Sequence, residues 1–221
     1  MWPARSQALT TRAPLFGSWR SVAVRLGLAL SLFVPGALRC EGAEPAAARV
    51  SALYDALLQT MKQAKQLGLK GRYDKLAPVL AQTYDLPLMS RIAVGQNWDA
   101  LSAPQRQSVV NAFTRMTTAT YASRFDGFSG ETLEVVRTVD RPNGDKLVMT
   151  RIVKSDGKTI ALNYLARNTS SDWKVIDVYL NGTISELASR RSEFSAILKS
   201  GGPDALVAAL NKQGDKLLKG S

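Results

Sequence analysis

The chain has 221 residues and a formal net charge of +11, with no histidine and a single cysteine, Cys40. Zinc sites, histidine-dependent nucleophilic catalysis and disulfide frameworks therefore lack their usual side chains, and no phosphate-binding glycine loop occurs. The positive charge suits an acidic partner such as an anionic lipid surface, although an ordinary solvated surface explains it equally well.

Residues 1–43 have the pattern of a secretion signal. A basic leader without acidic residues precedes an uncharged stretch at 26–38, and small residues follow it. The stretch is too short for a membrane span, which needs about 20 apolar residues. Cys40 raises the alternative of a lipid anchor, but lipidated cysteines follow small residues, whereas Arg39 precedes this one. We therefore expect a soluble secreted protein that begins near Glu44, and export argues against a nucleic-acid partner.

The next part of the chain predicts helices. Apolar residues recur at helical spacing, and the predicted helices begin near Val50, Tyr73, Asp85 and Ser102. Glycines 68 and 71 are expected to end the first helix, and Gly95 the third. Ser102-Ala103-Pro104-Gln105 has the pattern of a capping box with proline in the first turn, which predicts a firm helix start.

After a glycine-containing break at residues 125–130 the hydrophobic period changes to two. Four strands are predicted, at residues 132–141, 146–154, 159–167 and 173–180. Asn143-Gly144 and Asp156-Gly157 in short connections predict hairpins, so the strands form an antiparallel meander. Helical periodicity returns after Asn181-Gly182. The order of elements predicts one α+β domain over residues 44–221.

Both faces of the predicted sheet carry apolar side chains. In the third strand Ile160, Leu162 and Tyr164 share one face, and Ala161 and Leu165 lie on the other. An antiparallel sheet with one solvated face alternates more cleanly, so we expect both faces to be covered. Helices could fill the core on both sides, or an apolar cavity between sheet and helices could hold a ligand; the pattern leaves both open.

Several motifs occur together in one order along the domain. They are the segments at 85–98 (DLPLMSRIAVGQNW), 102–106 (SAPQR), 125–130 (FDGFSG), 173–185 (WKVIDVYLNGTIS) and 190–194 (RRSEF), with Phe113 and Tyr121-Ala122. The set resembles the MlaC-like family of periplasmic proteins, also called toluene-tolerance or ABC-transporter auxiliary proteins. The chain looks most like the HpnM branch, whose members accompany hopanoid synthesis. Arg190 departs from the wider family, in which a tyrosine often precedes the arginine.

The resemblance implies a periplasmic, non-enzymatic lipid carrier without a cofactor or a metal. Its four-stranded meander and helices would surround an apolar cavity for a hopanoid or a phospholipid. Its implied partners are an inner-membrane ABC-transporter complex and an outer-membrane acceptor, reached through transient membrane contact. The stronger rival is an adaptor or structural module whose core is filled. A glycosidase would need two facing carboxylates, and no sequence pattern pairs them.

Site residues follow from the predicted elements and the resemblance. The candidates for the cavity wall and its closure are Phe113, Met116, Tyr164, Val178, Leu187 and Phe194, each of which could instead be ordinary core. Arg191 is the candidate contact for a headgroup, because guanidinium suits phosphate, with a surface ion pair as the alternative. Asp177 is expected to be a partly buried, paired structural carboxylate.

Overall fold

Helices precede and follow an antiparallel sheet in the computed structural model, which describes residues 44–170 and 172–219. The helices are α1 (Pro45–Lys62), α2 (Ala64–Thr83), α3 (Leu86–Val94), α4 (Ala103–Arg124) and α5 (Glu186–Lys219), with a 3-10 turn at Gly95–Trp98. The strands are β1 (Thr132–Asp140), β2 (Lys146–Val153), β3 (Thr159–Thr169), β4 (Asp172–Leu180) and β5 (Ile184–Ser185). The predicted signal peptide and Cys40 lie outside the described residues. Within those residues, no helix is both long and apolar enough to cross a membrane.

The sheet has the strand order β1-β2-β3-β4-β5, and every neighbouring pair is antiparallel. The predicted α+β class and antiparallel meander are confirmed, but the prediction of four strands is wrong, because the described residues form a sheet of five. The additional strand, β5, is two residues long and pairs Ile184 with Leu180. A tight turn makes this pairing possible, because Asn181 and Gly182 both adopt positive φ, at 50° and 79°. Two residues are too few to show a strand period.

The main core lies on one face of the sheet. Val148, Tyr164 and Val178 are neighbours across β2, β3 and β4, so their side chains share this face. They belong to the same buried cluster as Leu53 and Leu57 of α1. On the opposite face, the apolar side chains Met149, Leu165 and Tyr179 are half-buried, and they do not belong to this cluster of described residues. The second face is therefore only partly covered, whereas the main core covers the first one fully.

Local signals set the helix boundaries. Ser102 and Gln105 form the predicted capping box, in which the Gln105 side chain accepts a hydrogen bond from the Ser102 amide at 2.9 Å. The first helix ends at Lys62, earlier than expected, and Gly68 interrupts α2 with a φ of 60°. Gly202, with a φ of 71°, divides α5 in the same way, and Pro203 starts its second half.

Asp177 joins β4 to the start of α5. Its carboxylate is 8% exposed and accepts hydrogen bonds from the Ser185 hydroxyl at 2.6 Å and the Leu187 amide at 3.2 Å. A carboxylate at a helix amino terminus is stabilised by the unpaired amides and the helix dipole. The side chain is therefore buried and hydrogen-bonded, which fits the structural role expected for it.

Candidate functional site

A pocket of about 380 Å³ opens beside the inner face of the sheet. Its wall is mostly apolar or aromatic, and the residues of that kind are Met61, Tyr84, Met89, Phe113, Met116, Tyr121, Phe125, Ile152, Ile160, Leu162, Val178 and Leu180. Three methionines among them give the wall unbranched side chains that adapt to the shape of a ligand. The volume is near the lower end of the range for ligand pockets, about 300–1,000 Å³.

Regular elements hold the wall in place. On α4, Phe113, Met116, Thr117 and Thr120 follow a spacing of three or four residues, which places them along one face of the helix. Across the sheet, the register places Leu162 of β3 opposite Leu180 of β4, so both side chains lie on the core face. The pocket therefore lies where one helix face and one sheet face meet without filling the space between them.

Charged residues complete the lining, and all of them are exposed or half-buried. The cations are Arg124, Lys154 and Arg190, and the anions are Asp126, Glu131 and Glu186. We call these six residues the rim. Because the rim carries both signs of charge, it is suited to a polar group in water, whereas the wall is suited to an apolar one. No group of acidic or sulfur side chains suited to a metal ion occurs in the described ranges.

Arg190 is a cation of the rim that two ion pairs hold in place. Its side chain is 15% exposed and forms ion pairs with Glu186 at 2.9 Å and with Glu193 at 3.1 Å. Arg191, the predicted headgroup contact, points elsewhere. Its Nε donates to the carbonyl oxygen of Ile92 at 3.1 Å, and its stem lies against Gly95. The structure therefore brings Arg190, and not Arg191, to the pocket.

Tyrosines form a polar group within the apolar wall. The hydroxyls of Tyr84 and Tyr121 are hydrogen-bonded to each other, and both residues line the pocket. Nearby, Tyr54 is hydrogen-bonded to Thr150 at 2.5 Å, and its ring meets that of Tyr164 edge-on at 5.8 Å. Burial raises the pKa of Tyr121 to about 12 and raises the pKa values of Tyr84 and Tyr164 well above 10.0.

The predicted wall residues separate into two groups. Phe113, Met116 and Val178 line the pocket. The other three, Tyr164, Leu187 and Phe194, are at most 1% exposed and do not belong to its lining. Phe194 packs behind the wall, with its ring edge-on to that of Phe113 at 6.3 Å.

Sequence reasoning missed lining residues from parts of the chain far from the predicted candidates. Met61 lies at the end of α1, Tyr84 directly follows α2, and Met89 lies near the start of α3. Phe125 lies in the break after α4. Phe125 stacks on Tyr121 with ring centroids 5.6 Å apart. The available signal was that Tyr121 and Phe125 are four residues apart, and so lie on one helix face.

Comparison with known proteins gives the family. A family model described as MlaC protein matches residues 51–212. This chain belongs to the MlaC family. Among solved structures, a phospholipid-binding protein from Ralstonia solanacearum, determined in complex with a phospholipid, is similar with a TM-score of 0.70 and 22% identity. The likeness covers 79% of this chain and 99% of that chain, and at this identity it shows a shared fold. No curated protein sequence matches the chain.

Membership of the MlaC family confirms the resemblance that the motifs carried. The matched range includes the pocket-lining helix α4, all five strands and the first half of α5. The narrower likeness to the HpnM branch stays a prediction.

Proposed function

We propose that this MlaC-family protein is a periplasmic lipid carrier without catalytic activity. In this proposal the signal predicted at residues 1–43 exports the chain, and the mature domain binds a membrane lipid. The domain then shuttles that lipid between an inner-membrane ABC-transporter complex and an outer-membrane acceptor.

The pocket is the observation that carries the proposal. Its apolar wall lies between α4 and the core face of the sheet, and its rim is charged. An amphipathic molecule fits this arrangement, because its tail can contact the wall while its head stays hydrated at the rim. The similar fold of the Ralstonia solanacearum protein, which was solved with a phospholipid, supports the same use of the fold.

Energetics limit what such a carrier does. Burying each methylene of a tail stabilises it by about 0.8 kcal/mol relative to water. A bilayer offers nearly the same gain, so apolar contact alone does not extract a lipid from a membrane. The carrier therefore shields the tail from water during transfer, and its partners set the direction of transport.

The proposed cargo is a hopanoid or a phospholipid. The likeness to the HpnM branch favours a hopanoid, whereas the phospholipid-bound structural neighbour favours the alternative. The rim carries three cations and three anions, so it does not select a strongly anionic headgroup by charge alone.

Native mass spectrometry of the mature protein purified from a periplasm tests the proposal, combined with lipid extraction from the same sample. We expect a bound species of lipid mass, and the extracted lipid distinguishes hopanoid from phospholipid. A protein that is empty, and that takes up no lipid from vesicles of either kind, would instead be an adaptor with an unused pocket.

A further inference from the structure

Four tyrosines bring their hydroxyl groups together at the inner side of the pocket wall. Tyr54 comes from α1, Tyr84 from the link between α2 and α3, Tyr121 from α4 and Tyr164 from β3. The ring of Tyr164 meets that of Tyr54 edge-on at 5.8 Å, and its buried hydroxyl is near enough to the other three to affect their pKa values. Four separate elements thus converge on one small polar group within an otherwise apolar core.

Counting protons shows that this group has donors to spare. Each phenol has one O–H donor. The Thr150 hydroxyl donates to the carbonyl oxygen of Leu162, so it accepts from Tyr54, and the Tyr54 proton is used. The bond between Tyr84 and Tyr121 uses one of the two protons of that pair.

Two of these donors form no hydrogen bond among the described residues. One is the second proton of the Tyr84–Tyr121 pair, and the other belongs to Tyr164, whose buried oxygen has no hydrogen-bond partner there. Burial keeps the pKa values of these phenols above 10.0, so they are donors at neutral pH. An unsatisfied buried hydroxyl destabilises the fold, and phenylalanine at the same position would avoid that cost.

The position of the pair indicates what it would bind. Tyr84 and Tyr121 line the pocket, and Tyr121 lies one helical turn before the exposed rim residue Arg124. A lipid with its head at the rim and its tail against the wall has its head-to-tail junction at this depth. That junction carries oxygen atoms in most membrane lipids, whereas the tail below it carries none.

We propose that Tyr84 and Tyr121 form a hydrogen-bonding site for an oxygen acceptor at the junction between the head and the tail of the cargo. Tyr164 backs the pair from the core side. The site rests on the proposed function, since it takes the pocket to hold a lipid with its head at the rim. The acceptor is either the ester carbonyl of a diacyl phospholipid or the hydroxyl of a polycyclic lipid alcohol.

Two pairs of probes test the site and separate these sources. The first pair is short-chain diacyl phosphatidylglycerol and its dialkyl ether analogue, which lacks only the carbonyls. The second pair is cholestanol and cholestane, which lacks only the hydroxyl. We expect the protein to bind the oxygen-bearing member of one pair about tenfold more tightly, the effect of one hydrogen bond.

In the variants Tyr84→Phe and Tyr121→Phe, the ratio of the two dissociation constants of that pair should fall towards one. The binding of the oxygen-free probe should not weaken. Tyr179→Phe is the matched control, since Tyr179 lies on the opposite face of the sheet and outside the pocket lining. Thermal unfolding verifies that each variant folds. If one pocket variant does not fold, the other carries the test.

The outcomes separate the site from the function. A preference that is lost in both pocket variants and kept in Tyr179→Phe supports the site, and the pair that shows it identifies the acceptor. Equal binding within both pairs, or a preference that survives in both pocket variants, overturns the site and leaves lipid binding intact. Failure to bind any of the four probes overturns the site together with the proposed function.

Discussion

At the scale of single residues, Val178 is the position where a charge should most directly impair ligand binding. Its side chain lines the pocket from β4 and is 8% exposed. We expect Val178→Asp to lower lipid occupancy in native mass spectrometry severalfold, because an unpaired carboxylate in an apolar wall repels the tail. Val178→Phe should also lower lipid occupancy, because the larger side chain reduces the pocket volume.

Val136→Asp is the matched control for that experiment. Val136 is also a strand valine, but it is 55% exposed and lies outside the pocket lining. The lipid occupancy of Val136→Asp should equal that of the parent protein. Undiminished lipid in folded Val178→Asp and Val178→Phe would show that this wall does not hold the lipid.

The two adjacent arginines of α5 give a second residue-level prediction. Arg190 belongs to the rim, whereas Arg191 donates a hydrogen bond to the backbone of α3. We expect Arg190→Gln to change the rate of lipid transfer to anionic vesicles by severalfold, because it leaves Glu186 unpaired at the rim. Arg191→Gln should transfer at the parental rate, and the reverse ranking of the two variants would contradict the assigned rim.

This pair also shows where sequence reasoning about the site ends. Consecutive residues of a helix differ in direction by about a quarter turn or more, so only one of two adjacent arginines can face a given pocket. Nothing in the RRSEF pattern indicates which one, since that depends on how α5 packs against α3. Phe194, the candidate for closing the cavity, instead packs behind Phe113. Periodicity identifies the inner face of a helix but not the position of a gap within the core.

At the scale of elements, the bend of α5 depends on Gly202. Its φ of 71° and ψ of −169° lie in a region open almost only to glycine. We expect Gly202→Ala to reduce the free energy of unfolding by about 1–3 kcal/mol, measured by urea denaturation. Gly127→Ala is the control, because a Cβ there meets no atom within 4 Å and its φ is not positive. If the two variants were equally stable, an alanine side chain at residue 202 would not strain the backbone of the bend.

Turn chemistry explains why the strands were predicted well. Gly144 and Gly157 adopt φ angles of 83° and 81° in the two short connections, a left-handed conformation that glycine adopts without strain. The first helix was predicted less well, since Gly68 interrupts α2 instead of ending α1. A glycine marks a break in helical geometry, but the sequence does not show whether the chain reverses there or continues in nearly the same direction.

At the scale of the whole molecule, the pocket is the feature that sequence patterns could not settle. Alternating apolar strands are compatible with a filled core and with a cavity, because each residue reports only the face on which it lies. The pocket lies between side chains of α4 and of β4, such as Met116 and Val178, so it depends on how these elements pack together. The tyrosine group is collective in the same sense, since its four members come from α1, the α2–α3 link, α4 and β3.

Because these tyrosines join four elements, their ionisation should couple to unfolding of the whole domain at alkaline pH. Burial raises the pKa of Tyr121 from 10.0 to about 12, so between these values the unfolded chain releases a proton that the folded chain keeps. The stability that this group adds is complete below pH 10 and is lost as the pH rises towards 12. The full shift corresponds to about 3 kcal/mol for Tyr121.

Urea denaturation of the parent and of Tyr121→Phe at pH ~9 and pH ~11.5 measures this coupling. The parent should lose about 2 kcal/mol more stability than the variant across the interval, since phenylalanine has no proton to release. Tyrosinate absorbance provides an independent measurement: the buried phenols should ionise only as the domain unfolds, and later than in the denatured chain. An equal loss of stability in both proteins, with no delay in tyrosinate absorbance, would mean that solvent reaches these hydroxyls in the folded state.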